Sequence, residues 1–234
     1  MLKYGIAFYS GGKDSHYAII KSLHNGIITK YLLVVRPARM DSWMFHTINV
    51  KWVKLHSKAM EIPIIWVKVS GLKDIEIAEL RSNLMKTREL LRREGIDYLV
   101  SGAVASKYQK ERLDTLAESL GLKHYTPLWG LNQEYLIREE LRHLSFMIVA
   151  IQAYGLDIKW LGKVITEDDI KDLVSLHDSL RISPVGEGGE FETFVITSTL
   201  FRNYGIIVNK AKLIWSQTQW FGYYMIEDAT LMPL

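Results

Sequence analysis

The sequence predicts an α/β fold in which a parallel, doubly wound sheet is followed by a second, smaller α+β domain. Short apolar strands alternate with amphipathic helices over residues 1–130. Strands that alternate with helices form parallel sheets with helices on both faces. After residue 130 the alternation stops, and helices give way to β-rich stretches. We therefore predict two domains, 1–130 and 131–234.

The strands of the first domain are predicted from short apolar runs that end at glycine, proline or polar residues. They cover 3–9, 30–35, 64–69, 98–104 and 123–128. Apolar residues at helical spacing predict the helices between them. These cover 16–24, 49–60, 74–95 and 107–120. Ligands bind beyond the carboxyl ends of parallel strands, where the strand order reverses, so the loops there are candidate sites.

The second domain is predicted to begin with a helix at 134–143 and a strand at 146–151. A helical turn at 156–162 follows, and then a helix that Thr166 caps. The remaining strands are predicted within three β-rich stretches, 190–197, 206–215 and 219–227.

Composition excludes several classes of protein. The chain has 48% hydrophobic and 24% charged residues, which is typical of a soluble globular protein. A net charge of +3 does not predict direct nucleic-acid binding. With no long apolar run and no signal peptide, we expect a cytoplasmic protein without a membrane partner. The absence of cysteine excludes disulfides, thiolate metal sites, sulfur transfer and a cysteine glutaminase within this chain.

A glycine-containing turn joins the first strand to the first helix. It reads Ser10-Gly11-Gly12-Lys13-Asp14-Ser15. Glycines let the backbone approach a ligand closely, and the N-terminus of a helix attracts phosphate. The turn matches neither the Walker A pattern nor GxGxxG. It resembles the PP-loop of ATP pyrophosphatases, which implies cleavage of ATP between its α and β phosphates; the alternative is a turn with no ligand.

The turn supplies the predicted nucleotide-binding residues, to which we add Gly102 after the fourth strand. Asp14 is suited to Mg²⁺, because a carboxylate beside phosphates needs a cation between them. Lys13 is suited to neutralising phosphate charge, although it could equally point to solvent.

An acidic stretch near the C-terminus is the second candidate site. Glu187, Glu190 and Glu192 lie among three glycines, and on a strand Glu190 and Glu192 would share one face. Neighbouring carboxylates repel unless a cation lies between them, such as Mg²⁺, ammonium or a cationic substrate group. The alternative is an exposed turn with solvated glutamates. We expect this stretch to lie opposite the phosphate-binding turn across a cleft.

The motifs occur together in one order. They are SGGKDS, DSWMFH at 41–46, GAVASKYQKER at 102–112, PLWG at 127–130, WLG at 160–162 and GEGGEFETF at 186–194. In this the chain resembles the diphthine–ammonia ligase family of archaeal and eukaryotic PP-loop enzymes, from about residue 4 to residue 200. The family usually shows Gly-Arg-Asp where this chain has Gly130-Leu131-Asn132. The last thirty or so residues carry no matching motif.

The resemblance implies a Rossmann-like fold of the PP-loop/HUP type and a ligase that forms a C–N bond. The implied substrate is diphthine, the modified histidine of translation elongation factor 2, which bears a carboxylate and a trimethylammonium group. ATP and Mg²⁺ would convert the carboxylate into an acyl-adenylate, and ammonia would then give diphthamide, AMP and pyrophosphate. The predicted catalytic residues are Asp14, Glu187, Glu190 and Glu192.

Candidate substrate-binding residues fall in three places. Aromatic residues after the second strand would hold adenine or the trimethylammonium group. Polar residues after the fourth strand would bind phosphate or carboxylate, and the acidic stretch adds two glycines and a threonine. They are Trp43, Phe45, His46, Ser106, Gln109, Arg112, Gly188, Gly189 and Thr193. The alternative for the aromatic residues is that they pack in the core. The alternative for the polar residues is that they form an exposed start of a helix.

Two other functions remain compatible with the sequence. One is an adenylating amide synthetase or pyrophosphatase that acts on a small-molecule carboxylate. The other is a non-catalytic sensor of adenine nucleotides, which the paired glutamates disfavour because nucleotide binding needs no second acidic site. The sequence leaves open whether the chain forms a homo-oligomer.

Overall fold

A computed structural model describes residues 2–38, 48–72 and 75–234 of the chain. Its contacts group the residues into two compact units. The first unit contains Met1–Ser10, Asp14–Val50 and Glu61–Trp129. The second contains Gly11–Lys13, Lys51–Met60 and Gly130–Leu234. Two short segments that precede residue 130 therefore belong to the second unit, which the sequence did not predict.

The first unit contains a five-stranded parallel sheet, with the strands in the order β3-β2-β1-β4-β5. The strands are β1 (Lys3–Phe8), β2 (Ile27–Pro37), β3 (Ile64–Val69), β4 (Ile96–Val100) and β5 (Lys123–Tyr125). The predicted fold class is confirmed. Because β1 pairs with β2 on one side and β4 on the other, the strand order reverses between β1 and β4. The loops that follow these two strands contain Ser10 and Gly102.

The helices of the chain also follow the apolar periodicity, with one correction. They are α1 (Lys13–His24), α2 (Val53–Met60), α3 (Glu76–Met85), α4 (Arg88–Arg93), α5 (Lys107–Leu120), α6 (Gln133–His143) and α7 (Glu167–Leu180). The single helix predicted over 74–95 is wrong, because the chain breaks at Lys86 and Thr87 into α3 and α4. Thr87 donates both its backbone N–H and its hydroxyl to the Leu84 carbonyl, at 2.9 and 2.7 Å. This tight turn ends the α-helical hydrogen-bond pattern.

Two strands of the first sheet are shorter than predicted. β4 ends at Val100 rather than at residue 104, and β5 ends at Tyr125 rather than at residue 128. The residues that follow each strand thus belong to the loops at the carboxyl edge. The sheet is buried by apolar side chains of its helices, among them Leu80, Leu84 and Leu116.

The second unit contains a four-stranded antiparallel sheet in the order β7-β6-β9-β8. Its strands are β6 (Leu144–Ile151), β7 (Phe191–Ser198), β8 (Tyr204–Ser216) and β9 (Phe221–Pro233). The three β-rich stretches are thus strands, as predicted, and β9 continues six residues past the predicted end at residue 227. The pairing of β8 with β9 shifts register on both sides of Lys210.

The ends of helices in the second unit have clear causes in the sequence. Thr166 and Asp169 form a capping box at the start of α7, which confirms the predicted cap. The Asn132 side chain accepts a hydrogen bond from the Tyr135 N–H at 2.9 Å and caps α6. Asparagine is among the best residues for capping the N-terminus of a helix. In the described residues, no helix is both long enough and apolar enough to cross a membrane.

Candidate nucleotide site and the residues that support it

The turn after β1 has a backbone that glycine alone suits at its second position. Gly11 has a φ of 88°, in the left-handed region. A Cβ atom at Gly11 would lie 3.0 Å from Val53 and 3.1 Å from His56. Helix α1 begins two residues later, at Lys13. The first N–H groups of α1 therefore lie at a narrow turn, as phosphate binding requires.

Two serines brace this turn. The Ser10 backbone N–H donates to the Ser15 hydroxyl at 3.3 Å, and the two hydroxyl oxygens lie 3.2 Å apart. Ser15 is buried and Ser10 is half-buried. The Ser15 hydroxyl thus fixes the start of α1. Nucleotide contacts by either serine stay a prediction.

Strand β7 supports two further residues of the turn, Gly11 and Lys13. The Val195 N–H donates to the Gly11 carbonyl at 3.0 Å. The Thr193 hydroxyl accepts a hydrogen bond from the Lys13 N–H at 3.1 Å. Thr193 thus caps the start of α1, and its predicted contact with substrate stays a prediction. The structure thus brings one end of the acidic stretch into contact with the phosphate-binding turn.

The Lys13 side chain is completely buried. Its ammonium nitrogen lies 3.4 Å from a carboxylate oxygen of Glu140 on α6, and both side chains have no exposed surface. Of the two orientations left open by the sequence, the one toward solvent is therefore wrong. Loss of one partner from a buried ion pair leaves an uncompensated charge, which costs roughly 3–5 kcal/mol. Glu140 thus compensates the charge of a residue in the turn, a role that no sequence motif indicated.

Asp14 is the one carboxylate within the turn. It lies in the first turn of α1 and is half-buried. In the described part of the chain, no three His, Asp or Glu side chains are grouped so as to hold a metal ion. Mg²⁺ in nucleotide sites commonly takes only one or two carboxylates and obtains its other ligands from phosphates and water. Asp14 fits that role, which stays a prediction.

Gly102 packs directly on the backbone of the turn. A Cβ atom at Gly102 would lie 2.5 Å from the Asp14 carbonyl carbon and 2.6 Å from the Ser15 nitrogen. Glycine is needed here because any side chain would push the loop after β4 away from α1. The structure thus shows that Gly102 packs on the turn. Its predicted contact with nucleotide stays a prediction.

The polar residues after β4 form the start of α5. The Ser106 hydroxyl accepts a hydrogen bond from the Gln109 N–H at 3.3 Å and caps the helix. The Arg112 guanidinium lies 3.3 Å from the centroid of the Tyr108 ring. Ser106, Gln109 and Arg112 are all half-buried. Their predicted contacts with substrate stay a prediction.

The acidic stretch begins with an ordered turn. One oxygen of Glu190 accepts a hydrogen bond from the Ser183 N–H at 2.9 Å. The Ser183 hydroxyl accepts one from the Glu187 N–H at 3.0 Å. Glu190 lies before β7, which begins at Phe191, and so does not share a strand face with Glu192 as predicted. A side chain at Gly188 would lie 2.8 Å from the Glu190 carboxylate, so Glu190 braces the turn from within.

A hydrogen-bonded network in the first unit was not predicted. The Ser101 hydroxyl lies 2.7 Å from Nε2 of His124, and Nδ1 of His124 lies 2.6 Å from Asp114. Asp114 also pairs with Lys110 at 2.7 Å. Ser101 follows β4, His124 lies on β5 and Asp114 on α5, so only the Lys110–Asp114 pair, four residues apart on one helix, has a local signal in the sequence. Ser101 is only 2% exposed, so the network ties these elements together rather than offering a nucleophile to solutes.

The protonation states of His124 and Asp114 are consistent with a structural role for this network. Burial lowers the pKa of His124, and the hydrogen bond with Asp114 offsets only part of that effect. Burial raises the pKa of Asp114, but the hydrogen bonds with Lys110 and His124 outweigh it, so this pKa is lowered. The network therefore contains a carboxylate and a neutral imidazole at neutral pH.

His56 on α2 was assigned no role from the sequence, and it proves to be a packing residue. Its ring lies 4.6 Å from the ring of Phe194 and 5.7 Å from that of Phe201. Its Nε2 lies 2.7 Å from the Val195 carbonyl, which can only accept a hydrogen bond, so the neutral ring carries its proton on Nε2. Burial lowers the pKa of His56 from 6.5 to about 4, although the bond to Val195 raises it slightly.

Trp43, Phe45 and His46 lie outside the described residues, as does the rest of the 41–46 motif. Their predicted role with adenine or the trimethylammonium group stays a prediction.

The first prediction concerns Gly102. Gly102→Ala should lower the free energy of unfolding by roughly 1–3 kcal/mol through overpacking, and should weaken ATP binding because the turn must move. Gly26→Ala is the control for ATP binding: its φ of 75° strains an alanine and lowers stability, but nothing lies within 4 Å of the added Cβ, so the turn should not move. Chemical denaturation and a nucleotide titration would measure both quantities. Unchanged ATP affinity in Gly102→Ala would contradict the role of this contact in shaping the turn.

The second prediction concerns acid stability. The unfolded chain protonates His56 below about pH 6.5, whereas the folded chain does so only below about pH 4. The contribution of neutral His56 is fully present above pH 6.5 and is lost as the pH falls toward 4. Lowering the pH from 7 to 5 should therefore reduce the free energy of unfolding by roughly 2 kcal/mol through this residue. His56→Gln keeps a donor for Val195 but does not titrate, so denaturation curves should show a smaller pH dependence. An identical dependence in both proteins would refute the assignment.

Comparison with known proteins covers both units. Residues 3–124 match the family model of the diphthamide synthase N-terminal domain, and residues 132–232 match that of the C-terminal domain. A curated relative from Homo sapiens, named diphthine--ammonia ligase, is 31% identical over 89% of this chain and 84% of its own length. A relative of the same name from Schizosaccharomyces pombe is 28% identical over 88% of this chain and 36% of its own length.

Solved structures resemble the fold more distantly. A predicted subunit of a tRNA methyltransferase from Methanocaldococcus jannaschii has a TM-score of 0.44 and 15% identity, covering 85% of this chain and 98% of that one. A 4-thiouridine synthetase in complex with RNA and ATP has a TM-score of 0.46 and 12% identity, covering 83% of this chain and 55% of that one. The family is shown by the sequence models, which together span both units. The chain therefore belongs to the diphthamide synthase family.

Proposed function

We propose that the chain is an ATP-dependent diphthine–ammonia ligase that amidates the diphthine carboxylate of translation elongation factor 2 and releases AMP and pyrophosphate. The observation that carries the proposal is the match of the family models to residues 3–124 and 132–232. The curated relatives bear the name of this activity. The reaction would take place in the cytoplasm on a protein substrate, with ammonia as the second reactant and no nucleic acid.

The geometry of the turn supports the first half of the reaction. A carboxylate is a poor electrophile, and its adenylate has a good leaving group. The N-terminus of α1 would present the positive end of a helix dipole to the departing pyrophosphate. Asp14 would hold Mg²⁺, which neutralises phosphate charge when bound. The buried ammonium group of Lys13 would help to fix the shape of the turn through Glu140, and its predicted contact with phosphate stays a prediction.

The acidic stretch supports the second half. Ammonia attacks the acyl-adenylate, and the attacking nitrogen must lose a proton, which a carboxylate can accept. Glu187 and Glu192 are half-buried and flank the turn that Glu190 braces. We assign proton transfer or ammonium binding to Glu187 and Glu192, and the positioning of that turn to Glu190.

The third prediction tests the function itself. The purified protein, given diphthine-bearing elongation factor 2, ATP, Mg²⁺ and ammonium, should form AMP and pyrophosphate in step with amidated factor. Glutamine in place of ammonium should give little product, because the chain contains no cysteine to act as a glutaminase nucleophile. ADP as the main nucleotide product would contradict the proposal. Turnover with small carboxylates but not with the modified factor would favour a small-molecule synthetase instead.

The fourth prediction concerns Asp14. Asp14→Asn should lower kcat by roughly 10²-fold or more, because charge stabilisation at the transferring phosphates would be lost. Asp97→Asn is the matched control, since Asp97 is an exposed carboxylate on β4. Steady-state rates over a range of Mg²⁺ concentrations would measure the effect, and circular dichroism would confirm folding. Near-normal activity of Asp14→Asn would mean that Mg²⁺ and the phosphates bind elsewhere.

A further inference from the structure

A buried hydrogen bond joins the two residues that flank the phosphate-binding turn. Tyr9 immediately precedes the turn at residues 10–15, and His16 immediately follows it. The Tyr9 hydroxyl oxygen lies 2.7 Å from Nδ1 of His16, and the centroids of the two rings are 5.8 Å apart. Tyr9 is only 2% exposed and His16 is completely buried. The two ends of the turn are therefore held together inside the fold.

The Tyr9–His16 pair connects the first strand of the sheet to the first helix. The Tyr9 N–H donates to the Leu33 carbonyl of β2 at 2.9 Å, so Tyr9 continues the alignment of β1 with its neighbour. His16 is the fourth residue of α1. A hydrogen bond is directional and its length varies little. The bond between Tyr9 and His16 thus fixes both the distance and the direction from the end of the strand to the start of the helix.

A second pair of side chains lies just inside the first. The hydroxyl oxygens of Ser10 and Ser15 are 3.2 Å apart, and the Ser10 N–H donates to the Ser15 hydroxyl. Residue 9 is thus paired with 16, and residue 10 with 15. Only residues 11–14 lie between these pairs, and they include the left-handed Gly11. The base of the turn is therefore closed by side chains of the chain itself.

Apolar packing alone does not explain why both residues of the outer pair are polar. A buried hydroxyl or imidazole lowers stability unless it is hydrogen-bonded. Phenylalanine in place of Tyr9 and leucine in place of His16 would occupy similar volumes without that cost. A hydrogen-bonded pair adds a specific geometry, because buried polar networks that are satisfied favour one arrangement of their elements. The polarity of this pair thus indicates that the shape of the turn matters.

The hydrogen bond does not depend on one protonation pattern. Burial raises the pKa of Tyr9 well above its usual value, so the phenol keeps its proton at neutral pH. The phenol can donate to Nδ1 of one neutral tautomer of His16 and can accept from Nδ1–H of the other. Either neutral tautomer therefore preserves the link across the turn.

We propose that Tyr9 and His16 are positioning residues, which hold the turn in its phosphate-binding shape before the nucleotide arrives. They act through the backbone of the turn rather than by touching the nucleotide. The inference rests on the proposed use of ATP at this turn. A turn that had to be ordered during binding would lose affinity, because the ordering entropy opposes association. A turn that is already ordered also stabilises developing charge without reorganisation.

The fifth prediction separates positioning from stability. Tyr9→Phe removes the hydroxyl and leaves buried His16 without this partner, so it should lower Tm and weaken binding of α,β-methylene-ATP roughly tenfold. The double variant Tyr9→Phe, His16→Leu replaces both partners by apolar groups, so its Tm should recover. Its affinity for the analogue should stay roughly tenfold low, because the directional bond is still missing. Thermal denaturation and calorimetric titration in the presence of Mg²⁺ would measure both quantities.

Amide hydrogen exchange tests the turn without nucleotide. In the double variant, exchange at residues 11–15 should be faster than in the unmodified chain, because the turn opens more readily, whereas exchange in α5 should not change. Tyr98→Phe is the matched control, since it removes a phenol hydroxyl from β4 of the same unit. It should leave Tm, affinity for the analogue and exchange in the turn unchanged.

The outcomes distinguish this inference from the proposed function. Affinity that recovers together with Tm in the double variant would show a purely structural role and overturn the inference, as would unchanged exchange in the turn. A double variant no more stable than Tyr9→Phe would also overturn it, because packing rather than the bond would then be decisive. The expected losses in a chain that does not amidate the modified factor would uphold the inference and refute only the ligase. An unmodified chain that does not bind the analogue would refute both.

Discussion

The buried ion pair between Lys13 and Glu140 is the constraint on which the phosphate-binding turn depends. Both side chains are completely buried, so loss of either charge would leave the other without this compensation in a medium of low dielectric constant. The backbone of the same turn is held by Thr193 and Val195 of β7. The start of α1 is therefore determined by residues far along the chain. Such a turn is organised before any ligand arrives, which is the condition under which fixed dipoles stabilise developing charge most effectively.

The elements of the fold were largely predictable because they follow from local periodicity. Apolar runs between turn residues gave the parallel strands, and the alternation of strands with helices gave the fold class. The break between α3 and α4 was missed because the apolar pattern continues across it. The break arises because the hydroxyl and the N–H of Thr87 both donate to the Leu84 carbonyl. A threonine in the sequence does not by itself predict whether its hydroxyl will interrupt a helix in this way.

The candidate site was predictable in position and less so in detail. The motif at residues 10–15 identified the turn, because residue types at fixed spacing reflect local geometry. Burial of Lys13 could not be predicted, since it depends on Glu140 in a helix more than a hundred residues later. The same holds for Ser101, His124 and Asp114, whose contacts arise from the pairing of β4 with β5. Glu190 was predicted to work beside Glu192, but a hydrogen bond to Ser183 places it in a turn.

Strand β8 is thirteen residues long and lies at the edge of its sheet. An edge of that length is a template for strand addition by a second copy, and so for aggregation. The register shifts on both sides of Lys210 interrupt the regular row of backbone groups. Both Lys210 and Lys212 are exposed there, but Lys210 pairs with Glu227 at 2.8 Å. Lys212 is therefore the charge that two copies aligned edge to edge would bring close to its counterpart. The irregular centre of β8 thus makes strand addition at this edge, and fibril formation through it, less favourable.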